Sequence, residues 1–513
     1  MASPGEDWAY MDSLRPPVYI CLRRKVDSAD GAYEPMPLDG CVDKEAWAHV
    51  PWSDAFVDIE GVERKPTEHP LTRFKMMYDD DSLYAAAELV EPKIWGTITG
   101  KNSTMYHEND FEVFLDPDGS RHHYYELELN CLNTIWELLL HRPYKDGYSI
   151  DNPFNLVSLR SAVFVDGRTN SPETECVRWC VEMSWSLAEL QQFDRLRFRG
   201  GGEDPASRPG SASTATPRPP SAAGRTPRPA VTTGCTVAGD VWRVNFSRVQ
   251  YELETVVDPD TQQLQYEKVP DMREDNIVWA PTGVIDIHRP ERWGYVFFSS
   301  ENELPGGELE LASARTGFLD ERMAMERVLD AVYYRQRTFH AFHGGYASSM
   351  EMLYTGSSPV HSPESSSRPK GDINVWTEAF PLCEVLRRYE IDFPVLSSRS
   401  DLAGSDPRDA LGNVTDQSAD SGARSSVEGT YRRTSRRYAP ALDQHDELLD
   451  LEPSEVAACP TKTATATPAL SPRSQGVKRL EDRGLFSNFQ VTVRSERQQW
   501  SMAQDGKLWQ TAS

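Results

Sequence analysis

Residues 106–130 read YHENDFEVFLDPDGSRHHYYELELN. Successive side chains of an extended chain point to opposite faces, so each run divides into two rows. In DFEVFLD (110–116), Phe111, Val113 and Leu115 fall on one face and Asp110, Glu112 and Phe114 on the other. In YELELNC (125–131), Tyr125, Leu127 and Leu129 make the apolar row, and Glu126, Glu128 and Asn130 the polar one. Each strand has one side fit for a core and one side of acids and amides.

The same grammar recurs outward. CVRWCVEMSW (176–185) gathers Val177, Trp179, Val181, Met183 and Trp185 against Arg178, Cys180, Glu182 and Ser184. VWRVNFS (241–247) sets Trp242, Val244 and Phe246 opposite Arg243, Asn245 and Ser247. An all-β fold, with antiparallel sheets packed face to face as a β-sandwich, satisfies these strands most simply. It is expected over 36–300, after an N-terminal extension, 1–35. Arg199–Ala230 is rich in Pro, Ser, Gly and Arg and cannot offset the entropy of its own ordering. The segment 199–235 therefore reads as a disordered insertion within the sandwich. A second such zone covers 355–484, with 373–396 as its one apolar stretch. Between the zones, Met325, Val328, Leu329, Val332, Phe339 and Phe342 recur at helical spacing, with Asp320 as cap and Gly344-Gly345 as stop. Residues 318–354 and a C-terminal hairpin in 485–513, turning at Asp505-Gly506, are expected to form a small α+β domain.

Composition excludes several classes. The 513 residues carry 54 Lys+Arg against 79 Asp+Glu, a net charge of −25. Nucleic-acid binding needs clustered cations and is not expected. No run approaches the roughly 18 apolar residues of a membrane span. The opening MASPGEDWAYMDSL lacks the layout of a signal peptide, which makes a cytoplasmic location the expectation. The eight Cys include no C-x-x-C pair, against a zinc finger. Phosphate-loop, dinucleotide and nucleophile-elbow motifs are lacking, so nucleotide chemistry and serine hydrolysis have no support.

The polar rows admit two readings. One is an ordinary wet outer face. The other is a face that hydrogen-bonds a polyhydroxylated ligand: carboxylates, amides and guanidinium groups take the hydroxyls, and an aromatic ring takes the C–H face. Abundant acids, and aromatics at run ends (Trp95, Tyr106, Trp136, Trp279, Trp293), favour the second. The candidate ligand-binding set is Tyr106, with Trp136 and Trp95, for stacking, and Asp110, Glu112, Glu126, Glu128, Asn130 and Arg243 for hydroxyls. The same carboxylates raise glycoside hydrolysis. Nothing separates a proton donor from a nucleophile, so no catalytic residue is expected. The turns Asp79–Asp81 and Asp116–Gly119 have oxygen donors for calcium but not the spacing of an EF-hand, and solvated turns account for them. His107, His122, His123 and His141 lack zinc spacing. Met105 beside His107 is a haem-ligand pair by residue type alone.

Further stretches carry a family resemblance. PLDGCVDKEAWAHVPWSDAFVDIEG (37–61), MMYDDDSLYAAAELVEP (76–92), the 106–130 stretch, then RPYKDG, VNFSRVQ and RPERWGYVFFS come in the order seen in family nine carbohydrate-binding modules. Residues 36–300 resemble that family, in a bacterial branch with a C-terminal helix and hairpin. The resemblance implies a jelly-roll-like sandwich and non-catalytic binding of glucan or xylan polysaccharides or oligosaccharides. It also implies an extracellular setting beside glycoside hydrolases in carbohydrate catabolism. It admits calcium, although the residues themselves call for no cofactor. It places the family's first stacking tryptophan at Tyr106 and its binding glutamate at Glu112. The family's arginine falls near Glu128, a charge reversal, and its second tryptophan near Ile287 or His288. Two other readings stand beside it: an interaction scaffold that engages protein partners through its disordered segments, and a haem-binding sandwich.

Overall fold

The computed structural model describes residues 4–25, 33, 36–147, 149–192, 237–302, 308–349, 352–353, 390–392, 485–486, 490–494 and 498–511. The insertion expected at 199–235, and the zone 355–484 apart from 390–392, lie outside the described residues. The chain divides into two compact units. One comprises Arg15–Thr282 and His288–Arg315, and the other Met1–Leu14, Gly283–Ile287 and Thr316–Ser513.

The first unit is a β-sandwich. In chain order its strands are β1 (Val18–Arg23), β2 (Val57–Asp58), β3 (Thr72–Tyr78), β4 (Ser82–Val90), β5 (Asp110–Asp116), β6 (Tyr124–Leu129), β7 (Ile135–Arg142) and β8 (Ser149–Asp151). There follow β9 (Arg160–Asp166), β10 (Arg178–Ser186), β11 (Val241–Gln250), β12 (Leu253–Val257), β13 (Leu264–Lys268), β14 (Asp275–Val278) and β15 (Gly294–Phe298). One layer runs β8-β7-β6-β5-β11-β15-β1, with β14 also on β11 and β2 on β14. The other runs β1-β3-β4-β10-β9. The strand β1 joins them. Val18–Cys21 lie parallel to Tyr295–Phe298, and Leu22–Arg23 lie parallel to Met77–Tyr78. The sandwich is antiparallel as expected, except at this seam, where both pairings of β1 are parallel. Antiparallel hairpins need sequence neighbours, whereas β1 meets strands far along the chain and is free to pair in either sense.

The apolar rows fill the space between the layers. Phe111, Val113, Leu115, Tyr125, Leu127, Leu129, Trp179, Val181, Met183, Trp185, Trp242, Val244 and Phe246 belong to one buried cluster. Val177, counted with that row, precedes β10 and is 54% exposed. Phe74 of β3 stacks on Phe246 of β11 at 4.1 Å, tying the two layers together. Arg248 continues the core row of β11 and is buried; it pairs with Glu91 and donates to the Thr72 hydroxyl and the Val90 carbonyl. A buried guanidinium is tolerated because these acceptors replace water. Gly294 is set by close approach: a Cβ there would stand 2.2 Å from the Trp279 ring.

Residues 36–52 cover the outer face of the second layer, where Met36, Val42, Trp47 and Val50 pack on Met77, Tyr84, Ala86 and Cys180.

In the second unit, α1 (Pro4–Ser13) sets Trp8 on Tyr334, ring centroids 4.7 Å apart, and Asp12 against Arg327. Tyr334 and Arg327 lie on α2 (Glu308–His343), a longer helix than 320–343. Met325, Val328, Leu329, Val332 and Phe339 are buried as their spacing requires, but Phe342, one residue from the helix end, is 65% exposed. Gly344 follows with φ +74° and donates its N–H to the His340 carbonyl, a left-handed helix stop. Two small sheets complete the unit: β16 (Tyr346–Ala347) pairs with β18 (Leu485–Phe486), and β17 (Glu390–Asp392), β19 (Gln490–Arg494), β20 (Gln499–Ala503) and β21 (Leu508–Thr511) lie side by side. Residues 1–35 thus contribute α1 to this unit and β1 to the sandwich. No described helix is long and apolar enough to cross a membrane.

Candidate functional site

The strands β7, β6, β5 and β11 are consecutive neighbours, and their registers decide which outer-face side chains meet. Trp136 lies opposite Glu128, Glu128 opposite Glu112, and Glu112 opposite Ser247. The adjacent line reads Leu138, Glu126, Phe114, Asn245. Acids that period-two alternation only placed on a common face become direct cross-strand neighbours, where like charges repel.

This face is not wet. Asp110, Glu112, Glu126 and Glu128 are all buried, Glu112 the least so at 6% exposed. Their compensating bonds are few. The Tyr106 N–H donates to Glu128 at 3.1 Å, the Val249 N–H to Asp110 at 3.3 Å, and the Ser247 side chain bonds Glu112. Among the described residues Asp110 Oδ2 and Glu126 Oε2 find no hydrogen-bond partner. Burial is the main cause pushing all four carboxyls up, Glu112 to about 7 and the others well above their ordinary range. Neighbouring acids add to it: Glu112, Asp110 and Glu126 all raise Glu128. Among the described residues one trio could hold a metal ion: Asp110, Glu112 and Glu128 offer oxygens all within 4.8 Å of one another.

The aromatic candidates separate. Tyr106 is half-buried, with its ring 6.0 Å from that of Trp136 and tilted by 36°. Trp136 itself is buried and donates its Nε1–H to Asn152 at 3.0 Å. Trp95 is half-buried in the loop after β4 and, among the described residues, makes no ring contact with Tyr106 or Trp136. Trp279 and Trp293 are buried in packing.

Two expected sugar-binding residues serve the scaffold instead. The Asn130 Oδ1 accepts the N–H groups of Leu132 and Thr134 at 3.0 Å, and its Nδ2 donates to Ile98 O and Glu108, so it pins a turn. Arg243 is buried beside Asp116 in the register, away from the Glu112–Ser247 line. It donates to the carbonyls of Pro290 and Glu291 and lies 3.9 Å over the Tyr295 ring. A planar guanidinium fits that role because it bonds two carbonyls while stacking.

The resemblance placed the family's second tryptophan near Ile287 or His288. His288 Nδ1 and the Tyr124 hydroxyl share a hydrogen bond of 2.9 Å, and His288 stands 4.0 Å from Glu126 and packs its ring on Phe114 and Tyr144. It is buried in that cluster and presents no open plate. Its contact with Tyr124 could not be read from spacing, because the two residues are 164 positions apart. The acidic turns are built from their own backbone: Asp79 accepts the Asp81 and Ser82 N–H groups, and Asp118 that of Ser120. His122 and His123 are buried, with the ring of His123 5.4 Å from that of His141. Met105 is buried and His107 exposed, so the pair named for haem stands in two different environments.

With this geometry in place, the comparisons with known proteins can be set beside it. Residues 38–137 match the family model described as carbohydrate family 9 binding domain-like. The stretch runs from the 36–52 cover to β7 and holds Tyr106, the acids and Trp136. Among solved structures, the chain is similar to a candidate carbohydrate-binding protein from Bacteroides uniformis, at 13% identity and TM-score 0.34, over 55% of this chain and 100% of that one. It is also similar to a family 9 carbohydrate-binding module from Caldicellulosiruptor kristjanssonii in complex with glucose, at 14% identity and TM-score 0.29, over 56% of this chain and 100% of that one. The same module in complex with cellotriose gives 14% identity and TM-score 0.29, over 56% of this chain and 99% of that one. No curated protein matches the sequence.

Proposed function

We propose that the sandwich is a non-catalytic carbohydrate-binding module whose ligand lies against the outer face of β7-β6-β5-β11. The observation that carries this reading is the placement of Tyr106. Its half-buried ring stands beside the acid row, and its own N–H is bonded to Glu128, so ring and carboxylates hold a set relation. A tyrosine face packs against sugar C–H groups while the carboxyl most exposed in the row, Glu112, accepts hydroxyls. The family 9 match spans these residues. A glucan- or xylan-type oligosaccharide is the proposed ligand, and support of a partner glycoside hydrolase in carbohydrate catabolism the proposed role.

Catalysis finds less support. Glycoside hydrolysis needs two carboxyls with opposed tendencies, one holding its proton and one ionised. Here all four are pushed the same way.

The test is isothermal titration calorimetry of the full chain with cello- and xylo-oligosaccharides. Binding that weakens roughly fivefold in Tyr106→Ala, an aromatic contact of about 1 kcal/mol, supports the proposal. No heat at millimolar oligosaccharide overturns it.

A further inference from the structure

The acid row has more buried negative groups than its hydrogen bonds can satisfy. Asp110, Glu112 and Glu128 bring three ligand oxygens within 4.8 Å of one another. A fourth acid, Glu126, is buried beside them; it bonds Glu128, is raised by Glu112, and has an oxygen without a hydrogen-bond partner among the described residues. Asp110 is fully buried, and its Oδ2 is likewise unpartnered. Glu112, Glu108 and Glu126, all acids, raise the Asp110 carboxyl further. An unpaired buried carboxylate is costly, and a bound cation removes that cost.

We infer that Asp110, Glu112 and Glu128, with Glu126 beside them, are ligands of one hard divalent cation. An all-oxygen donor set selects hard cations over zinc or copper. Oxygens within 4.8 Å of one another can all reach one cation at the bond of about 2.4 Å that calcium takes. The strands supply the rigidity: two ligands lie on β5 and one directly opposite on β6, at the Glu112–Glu128 pair. The inference stands independently of sugar binding.

The experiment uses the full chain stripped of metal with a chelator and dialysed. Calcium chloride is titrated by calorimetry, and terbium(III) luminescence is excited through the protein aromatics, since Trp136 sits directly opposite Glu128. Saturable calcium binding is expected, with calcium as the probe for a hard divalent cation. Glu112→Gln and Glu128→Gln should each weaken calcium at least about tenfold and dim the terbium signal. Both variants keep shape and remove buried charge, so their melting temperature without metal should not fall. The inference is overturned if millimolar calcium gives neither heat nor a melting shift. It is equally overturned if calcium binds wild type and both variants alike, which would put the ion elsewhere, such as the Asp116–Gly119 turn. Oligosaccharide titrations with and without calcium separate the two readings: sugar heat without calcium heat removes only the cation, and calcium heat without sugar heat removes only the carbohydrate.

Discussion

Two outer faces of one sandwich bury glutamates in opposite ways. On the second layer, Glu182 of β10 has no exposed surface. Its Oε2 accepts the N–H groups of Asp39 and Gly40 at 2.9 Å and the Lys44 ammonium at 2.7 Å, and its Oε1 accepts Trp47 Nε1 at 2.6 Å. Every donor comes from the 36–52 segment, so Glu182 fastens that cover to the sheet. On the first layer, Glu112 and Glu128 face each other across β5 and β6 with few donors, and Glu128 is raised by the neighbouring acids Glu112, Asp110 and Glu126. Burial alone therefore says little about what a carboxylate does. What decides is whether donors and positive charge match its oxygens.

That contrast can be broken by mutation. Glu182→Ala should cost the most, about 4 kcal/mol in urea unfolding, because it strands two backbone N–H groups, an indole N–H and an ammonium. A loss below about 1 kcal/mol would mean the cover is held by packing alone.

The next largest effect is on pH dependence. In metal-free protein the folded-state value of Glu112 is raised from about 4.5 to about 7, so folding favours its protonated form. The stability this contributes is fully present below pH 4.5 and is lost as pH rises through 7. The melting temperature should drop by roughly 5 °C between pH 5 and pH 8, and Glu112→Gln should flatten the slope. A melting temperature that rises over this range would contradict the burial of the acid row.

Glu128→Gln sharpens the comparison with the sign reversed. Where Glu182→Ala destabilises, this change relieves crowding among acids and should stabilise the metal-free protein at pH 8 by about 1 kcal/mol. Destabilisation of more than about 1 kcal/mol would show that the charge of Glu128 is held by groups beyond the Tyr106 N–H. Tyr106→Ala should be mildest for folding, within about 1 kcal/mol, because its ring is only half-buried. Its larger effect belongs to ligand affinity.

Much of the sandwich was legible in the residues because strand alternation is local. Each extended residue sends its side chain opposite to the last, so DFEVFLD and VWRVNFS reveal their core rows without knowledge of any partner. The rule does not foresee a polar side chain in an apolar row: Glu137 alternates with Ile135 and Leu139 and is fully buried, bonding the Tyr125 hydroxyl and the Leu156 N–H. It was silent on Arg248, whose partners at Thr72 and Glu91 lie 176 and 157 residues away.

For the candidate site, composition and alternation named the acids and Tyr106, since both are properties of single strands. Only the tertiary structure decided that Glu112 and Glu128 are cross-strand partners, that Asn130 and Arg243 are bound to the scaffold, and that His288 fills its place as packing. Register and the path of covering loops depend on segments far apart in the chain. The balance of buried charge is a sum over all of them, which no one stretch of sequence contains.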